Sequence, residues 1–389
     1  MSGRGLSTRV IAPLISAIHI AGRLASNGLG LNQKMETTMS SPVSCVDWIR
    51  STLVKLALAL CLPAAHAVPS FSTIYVFGDS LSDTGNTQAV LGTNAFIANT
   101  AGYGSNGRFS NGPVWHESLA TGLGLAPATR SRSGGNNYAH GGARIDNASG
   151  FSAGVLNQYA SYTSGKGAAG ADADALYIVW GGGNDARDLV GNANPLSAIQ
   201  SAINSLSGVL TGLLNSGATT LLVPNLPDLG RIPEFRTGAN AGSATQVSKL
   251  WNEALLTMLE EVNAHATASI YFLDVFSIFN DVLDHPAAYG FTNTTGQCRS
   301  LGFLSLTEIS CANANSWVFW DQIHPTRAAH ALLGAAALEL LDEGSPLARV
   351  PEPASVMLVL LALALAVAAS RRRRAAVPDG LPLPAPALA

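Results

Sequence analysis

Four short runs along the chain are apolar at nearly every position: Ile74–Phe77, Leu176–Trp180, Thr219–Pro224 and Ile270–Asp274. Runs of this length without polar alternation predict strands buried on both faces, the pattern of a parallel sheet covered by helices. Between and after them the period changes. Residues 197–215, 243–266 and 325–341 repeat apolar positions every three or four residues, which predicts amphipathic helices. Strands alternating with helices predict parallel βαβ units and an α/β fold, a three-layer α/β/α sandwich around a mainly parallel sheet. The stretch 86–170 is rich in Gly, Asn and Ser and poor in helix signals. It predicts loops laid over the sheet rather than a separate domain, and the chain shows no internal repeat.

Both ends read as addresses rather than fold. From about Met39, Arg50 and Lys55 form a basic region, Leu53–Leu62 an apolar one, and Ala65-His66-Ala67 a small-residue cleavage site. That order predicts a secretory signal within a leader of residues 1–67; the alternative reading is a short buried helix. Cys61 follows Leu60 where a lipoprotein signal wants a small residue, so no lipid anchor is expected there. At the other end, Val350-Pro351-Glu352-Pro353 precedes the apolar run Ala354–Ala369 and then Arg371–Arg374. The run is at the short end for a membrane span, and the arginines would hold its far side in the cytoplasm with the main domain outside. The expected organisation is a leader at 1–67, a domain at 68–349, an anchor at 350–374 and a cytoplasmic tail at 375–389.

Composition agrees with one well-filled globular domain: of 389 residues, 47% are hydrophobic and 12% charged, with 39 glycines. The net charge of −3, with no dense basic run besides Arg371–Arg374, argues against a nucleic-acid partner. Of the four cysteines, Cys45 and Cys61 fall in the leader, leaving Cys298 and Cys311 to pair in an oxidising compartment. No CxxC or HExxH occurs and the eight histidines show no ligand spacing, so no metal site is expected.

Chemistry in such sheets gathers at the carboxyl ends of strands, and two predicted strands run into polar loops there, Gly78-Asp79-Ser80 and Gly181–Asp185. A serine becomes a nucleophile only when a base takes its proton and a third group orients that base. Ser80 is expected near the start of a helix whose free N–H groups favour negative charge; the alternative is an N-cap serine. Asp321-Gln322-Ile323-His324-Pro325 supplies a base and an orienting carboxylate, with Pro325 suited to the first turn of the next helix. Alone, it reads equally well as a helix entry.

These residues carry a resemblance. Phe77–Asn86 resembles the first block of the GDSL (SGNH) lipases and esterases. Gly107-Arg108-Phe109-Ser110-Asn111-Gly112-Pro113-Val114-Trp115 is similar to a stretch common in that family, and Asn137–Ala143 to its glycine block. Gly182-Gly183-Asn184-Asp185 resembles the GxND block and Asp321–Pro325 the closing DxxHP. The blocks keep the family order across essentially the whole domain. The resemblance implies an SGNH-type, flavodoxin-like fold and ester hydrolysis, with Ser80 as nucleophile, His324 as base and Asp321 orienting it. It implies an oxyanion hole of the Ser80 N–H, the Gly142 N–H and the Asn184 amide. The alternatives are a plain turn at Gly141-Gly142, a helix cap at Asn184 and a structural Asp185. Carboxylic esters, acyl lipids or acetylated carbohydrate among them, are the expected substrates, and no cofactor is needed. An acyltransferase using the same intermediate, or a non-catalytic envelope or matrix protein on the same fold, are the rival readings.

The tail resembles the PEP-CTERM sorting signal of Gram-negative bacteria, which implies membrane insertion and an exosortase-type processing partner; a simple tail anchor is the alternative. Two further motifs lack their context. Gly150-Phe151-Ser152-Ala153-Gly154 fits GxSxG and Gly102–Gly107 fits GxGxxG, but no predicted strand leads into either. Ser152 is therefore set aside as a nucleophile.

Overall fold

A computed structural model describes residues 70–146, 152–302 and 307–348. The predicted secretory signal, the C-terminal apolar run and its arginines lie outside these. The central sheet holds β1 (Ile74–Gly78), β2 (Leu176–Trp180), β3 (Thr220–Pro224) and β4 (Ser269–Leu273). All its pairings are parallel and the order is β1-β2-β3-β4. The helices are α1 (Asn86–Leu91), α2 (Ala95–Ala101), α3 (Trp115–Gly122), α4 (Val155–Lys166), α5 (Gly183–Asp188), α6 (Leu196–Asn215), α7 (Ala241–His265), α8 (Val275–Asp284) and α9 (Arg327–Asp342).

The alternation of a strand divides the core in two. Tyr75, Phe77, Tyr177, Val179, Leu221 and Val223 pack on one face with Leu206 of α6 and Trp251 of α7. Ile74, Val76, Leu176, Ile178 and Leu222 pack on the other with Trp115 and Leu119 of α3 and Leu333 and Ala337 of α9. The result is the three-layer sandwich that the contiguous apolar runs predict. Each such side chain withdrawn from water contributes about 1.5–3 kcal/mol, and this sheet lacks a polar face.

The expectation of loops across 86–170 is corrected: the segment contains α1 to α4. The first three are six to eight residues long, too short for a period to show. In α4 the buried positions are Val155, Gln158 and Tyr162, so a polar residue interrupts the stripe. Gln158 is buried for a reason. Its Oε1 accepts from the Gly78 N–H at 2.8 Å, and its Nε2 donates to the Gly78 carbonyl at 2.8 Å and to the Ala153 carbonyl at 2.7 Å. That clamp fixes the end of β1. A side chain at Gly78 is impossible there, because a Cβ would lie 2.2 Å from the Trp180 carbonyl oxygen.

Beyond the sandwich, β5 (Asn293–Gln297) pairs with β8 (Trp317–Phe319), and β6 (Arg299–Leu301) with β7 (Glu308–Ser310). The expected Cys298–Cys311 disulfide joins the outer ends of β6 and β7. Closing a loop of this size stabilises by about 3 kcal/mol in the chain-entropy picture. The Cys298 and Arg299 N–H groups donate to Phe319 and Trp320, so this cross-linked hairpin braces the chain just before Asp321.

Candidate active site

β1 leads through Gly78 and Asp79 to Ser80, which is 7% exposed. Its hydroxyl lies 2.8 Å from His324 Nε2. On the ring's other side, His324 Nδ1 lies 2.8 Å from Asp321 Oδ2 and 3.0 Å from Oδ1. Asp321 Oδ1 also accepts from the backbone N–H groups of Ile323 and His324 at 2.9 and 2.8 Å. Burial alone would raise the Asp321 pKa, but the neighbouring His324, its hydrogen bond and the two backbone donors outweigh that and hold the carboxyl below its usual range. Residues 244 positions apart thus form one chain of hydrogen bonds ending at a hydroxyl.

Two local expectations are corrected. No helix begins at Ser80: the chain turns there, and α1 starts at Asn86. The N–H groups of Gly85, Asn86 and Thr87 are taken by the Asp83 carboxylate, so they are not offered to Ser80. Pro325 is not in the first turn of α9 either. Thr326 is the N-cap, and Pro325 instead bridges antiparallel to Phe319. This extended pairing, with the Trp320 N–H donating to the His324 carbonyl at 2.7 Å, closes the loop that carries the imidazole.

The block at 107–115 has its place here, which its sequence did not disclose. The Phe109 ring lies 5.2 Å from the His324 ring, centroid to centroid. The Ser110 hydroxyl donates to the Pro325 carbonyl at 3.0 Å, and Asn111 Oδ1 accepts from the Arg327 N–H at 2.7 Å. Arg108 is held by a two-point ion pair to Glu117. Together these grip the His324 loop.

The glycine block runs beside β1 as an extra rung. Val76 N–H donates to Asn136, Tyr138 N–H to Val76 and His140 N–H to Gly78. Asn137 is fully buried and ties this block to the Ser80 loop, donating to the Ser82 carbonyl at 2.7 Å and to the Thr84 hydroxyl at 2.8 Å. The rung ends in a tight turn in which the Ala143 N–H donates to the His140 carbonyl and Gly142 has φ of 76°. The Gly141 N–H is occupied by Asp83 and Thr87, whereas that of Gly142 has no partner among the described residues. The Ser80 N–H has none there either. Asn184 lies in the first turn of α5, but Gly182 is the N-cap, so the cap alternative is excluded. The Asn184 Nδ2 donates to the Ala143 carbonyl at 2.9 Å, which leaves its second hydrogen, and Oδ1 accepts from Arg187 at 3.3 Å. Asp185 accepts from the Ile145 N–H, a structural duty.

A family model described as GDSL-like Lipase/Acylhydrolase matches residues 74–337. The chain belongs to that family. It is an ester-hydrolysing enzyme, and its sandwich is the family's fold. A GDSL esterase/lipase of Arabidopsis thaliana is 30% identical over 318 residues, covering 68% of this chain and 86% of its own. A phosphatidylcholine-sterol acyltransferase of Aeromonas hydrophila is 25% identical over 332 residues, covering 73% and 94%. Among solved structures, a lipolytic G-D-S-L family protein of Veillonella parvula superposes with a TM-score of 0.39 at 14% identity, covering 69% of this chain and 97% of its own. A model of the PEP-CTERM protein-sorting motif matches residues 349–374.

In this GDSL enzyme a cavity opens beside Ser80 and His324, walled by Leu81, Leu226, Ile232, Val275 and Phe279. Asp79 also lines it, and burial raises its carboxyl to about 6 despite the Leu81 N–H and the nearby His324 and Arg187. His330 lies at the inner wall, fully buried, its pKa lowered to about 3 by burial and by neighbouring His324 and His116. It stays neutral, and neither of its nitrogens meets Ser80.

Proposed function

We propose that the chain is an exported serine esterase that cleaves carboxylic esters through an acyl-serine intermediate on Ser80. The observation that carries this is the hydrogen-bond relay from Asp321 through His324 to the Ser80 hydroxyl, at 2.8 Å on each side of the imidazole. In it the Ser80 oxygen attacks the ester carbonyl while His324 Nε2 takes its proton, and Asp321 holds the ring and stabilises its positive form. The carbonyl oxygen becomes negative and accepts from the N–H groups of Ser80 and Gly142 and from the Asn184 amide. Collapse breaks the bond to the alcohol, which leaves with the proton from His324. Water, deprotonated by the same nitrogen, then releases the acid and restores Ser80. The apolar cavity suits an acyl group, and carbohydrate acetates and acyl lipids are the substrate classes to compare.

Transfer of the acyl group to an alcohol instead of water is the second reading, favoured by the 25% identity to the Aeromonas acyltransferase. The secretory pattern at 39–67, the disulfide and the sorting motif together support export and processing by an exosortase-type partner, with the C-terminal run as a temporary anchor. The test is hydrolysis of p-nitrophenyl esters from acetate to palmitate by the purified protein, with a competing alcohol present or absent. Ser80→Ala and His324→Ala should each lose activity by several orders of magnitude and Asp321→Asn somewhat less. Normal turnover in Ser80→Ala would overturn the reading.

A further inference from the structure

Ser152, the serine of the GxSxG-like segment, touches the oxyanion side of the site. Gly150 and Phe151 lie outside the described residues, but Ser152 does not. Its hydroxyl donates to the Gly141 carbonyl. That carbonyl belongs to the central peptide of the His140–Ala143 turn, closed by the Ala143 N–H on the His140 carbonyl at 3.1 Å. Positive φ at Gly142 and not at Gly141 makes this a type II turn. Types I and II differ by a flip of the central peptide. In a trans peptide the C=O and the following N–H point in opposite directions. Whatever holds the Gly141 oxygen therefore aims the Gly142 N–H the other way. Two successive glycines make the flip inexpensive, so sequence alone does not choose between the two orientations.

We propose that Ser152 is a positioning residue: its hydroxyl holds the Gly141–Gly142 peptide in the orientation that presents the Gly142 N–H to the oxyanion. This rests on the proposed role of Gly142. Ser152 is well anchored for the task. Its neighbour Ala153 accepts from Gln158, which also clamps the Gly78 end of the nucleophile strand. The Val155 and Leu156 N–H groups donate to Arg144 and Ile145, just beyond the turn. The two peptides that meet at Gly141 are thus fixed independently, His140–Gly141 through its N–H by Asp83 and Thr87, and Gly141–Gly142 through its carbonyl by Ser152. A side chain added at Gly142 would meet the Ser152 oxygen at 3.1 Å, at a φ that side chains rarely adopt.

The experiment compares Ser152→Ala, Ser152→Thr, Gly142→Ala and their Ala/Ala double variant in the full chain, reading kcat, KM and melting temperature on one p-nitrophenyl ester. A misaimed donor weakens the transition state and not the bound substrate. Ser152→Ala should therefore lower kcat on the order of tenfold with KM unchanged, less than the 10²–10³ of losing a donor outright. Ser152→Thr, which keeps the hydroxyl, should recover most of kcat. The double variant should be little worse than Gly142→Ala, since both act on one peptide. Full kcat in Ser152→Ala while Gly142→Ala is impaired would overturn the positioning role and leave the oxyanion reading standing. Full kcat in both single variants would overturn the positioning role; since alanine keeps the backbone N–H at 142, the oxyanion reading would then be decided by the Asn184 variants. A loss in Ser152→Ala that appears only as a lowered melting temperature, kcat being kept, would reduce Ser152 to a structural contact.

Discussion

Asn184 and Asp79 show how one side chain acts through its surroundings. The Asn184 amide has one hydrogen on Ala143 and its oxygen near Arg187, so its orientation is set before substrate arrives. A preorganised donor costs nothing to reorganise at the moment charge develops. Asn184→Ala should lower kcat by ~10²–10³ with KM little changed, and Asn184→Asp should be at least as damaging, because a carboxylate repels the oxyanion. Unchanged kcat in the alanine variant would remove Asn184 from the site. Asp79 gives a prediction in pH. Its carboxyl ionises near 3.8 in the unfolded chain and at about 6 when folded, so ionisation opposes folding. The cost is absent below the unfolded value, grows between the two, and is complete above about 6, on the order of 3 kcal/mol. Asp79→Asn keeps an oxygen for the Leu81 N–H and removes that cost. It should melt several degrees above the parent protein at pH 8 and at nearly the same temperature at pH 3.5. His330, held neutral in the fold, drives stability in the opposite direction on acidification, but it is common to both proteins and cancels in the comparison. A lower melting temperature for Asp79→Asn at pH 8 would mean that the charge is stabilising in place.

Among the elements, legibility followed burial and length. β1 to β4 were readable because strands covered on both faces leave unbroken apolar runs, and α6, α7 and α9 because three or more turns display a period. The short helices α1 to α3 were hidden by their length. In α4 the interrupting residue, Gln158, is itself the clamp on Gly78, so the feature that hid the helix is the one that serves the site. The relay of Ser80, His324 and Asp321 was legible through the motifs around it. The supports were not. Phe109 meets His324 and Ser152 meets Gly141 only through the folded chain, and neither contact leaves a mark in local spacing. The helix start expected near Ser80 shows the converse error: the helix begins at Asn86, and the Asp83 carboxylate takes its first N–H groups.

For the molecule as a whole, the decisive question is where the hydrolase ends. The family match stops at 337 and the periodic pattern at 341, yet the fold continues. After α9 the chain returns to the open edge of the sheet, where the Leu347 N–H donates to the Ile270 carbonyl of β4 at 2.8 Å. The Leu347 carbonyl in turn accepts from the Asn263 amide at 2.9 Å, and Asn263 is 1% exposed. Leu347 also packs against the core on the α6–α7 face. A deletion of residues 350–389 removes the sorting motif and none of these contacts, so the shortened protein should keep both its melting temperature and its kcat. A deletion beginning at Ser345 strips the edge and leaves the Asn263 amide buried without a partner, at about 1–3 kcal/mol, with the loss of Leu347 burial in addition. It should melt several degrees lower while kcat below the melting transition changes little, because Leu347 pairs at the start of β4 whereas the site lies beyond the carboxyl ends of the strands. Equal melting temperatures for the two deletions would show that residues 345–349 are dispensable to the fold. An inactive, unfolded product from the shorter deletion would place the C-terminal run in the core rather than among the addresses.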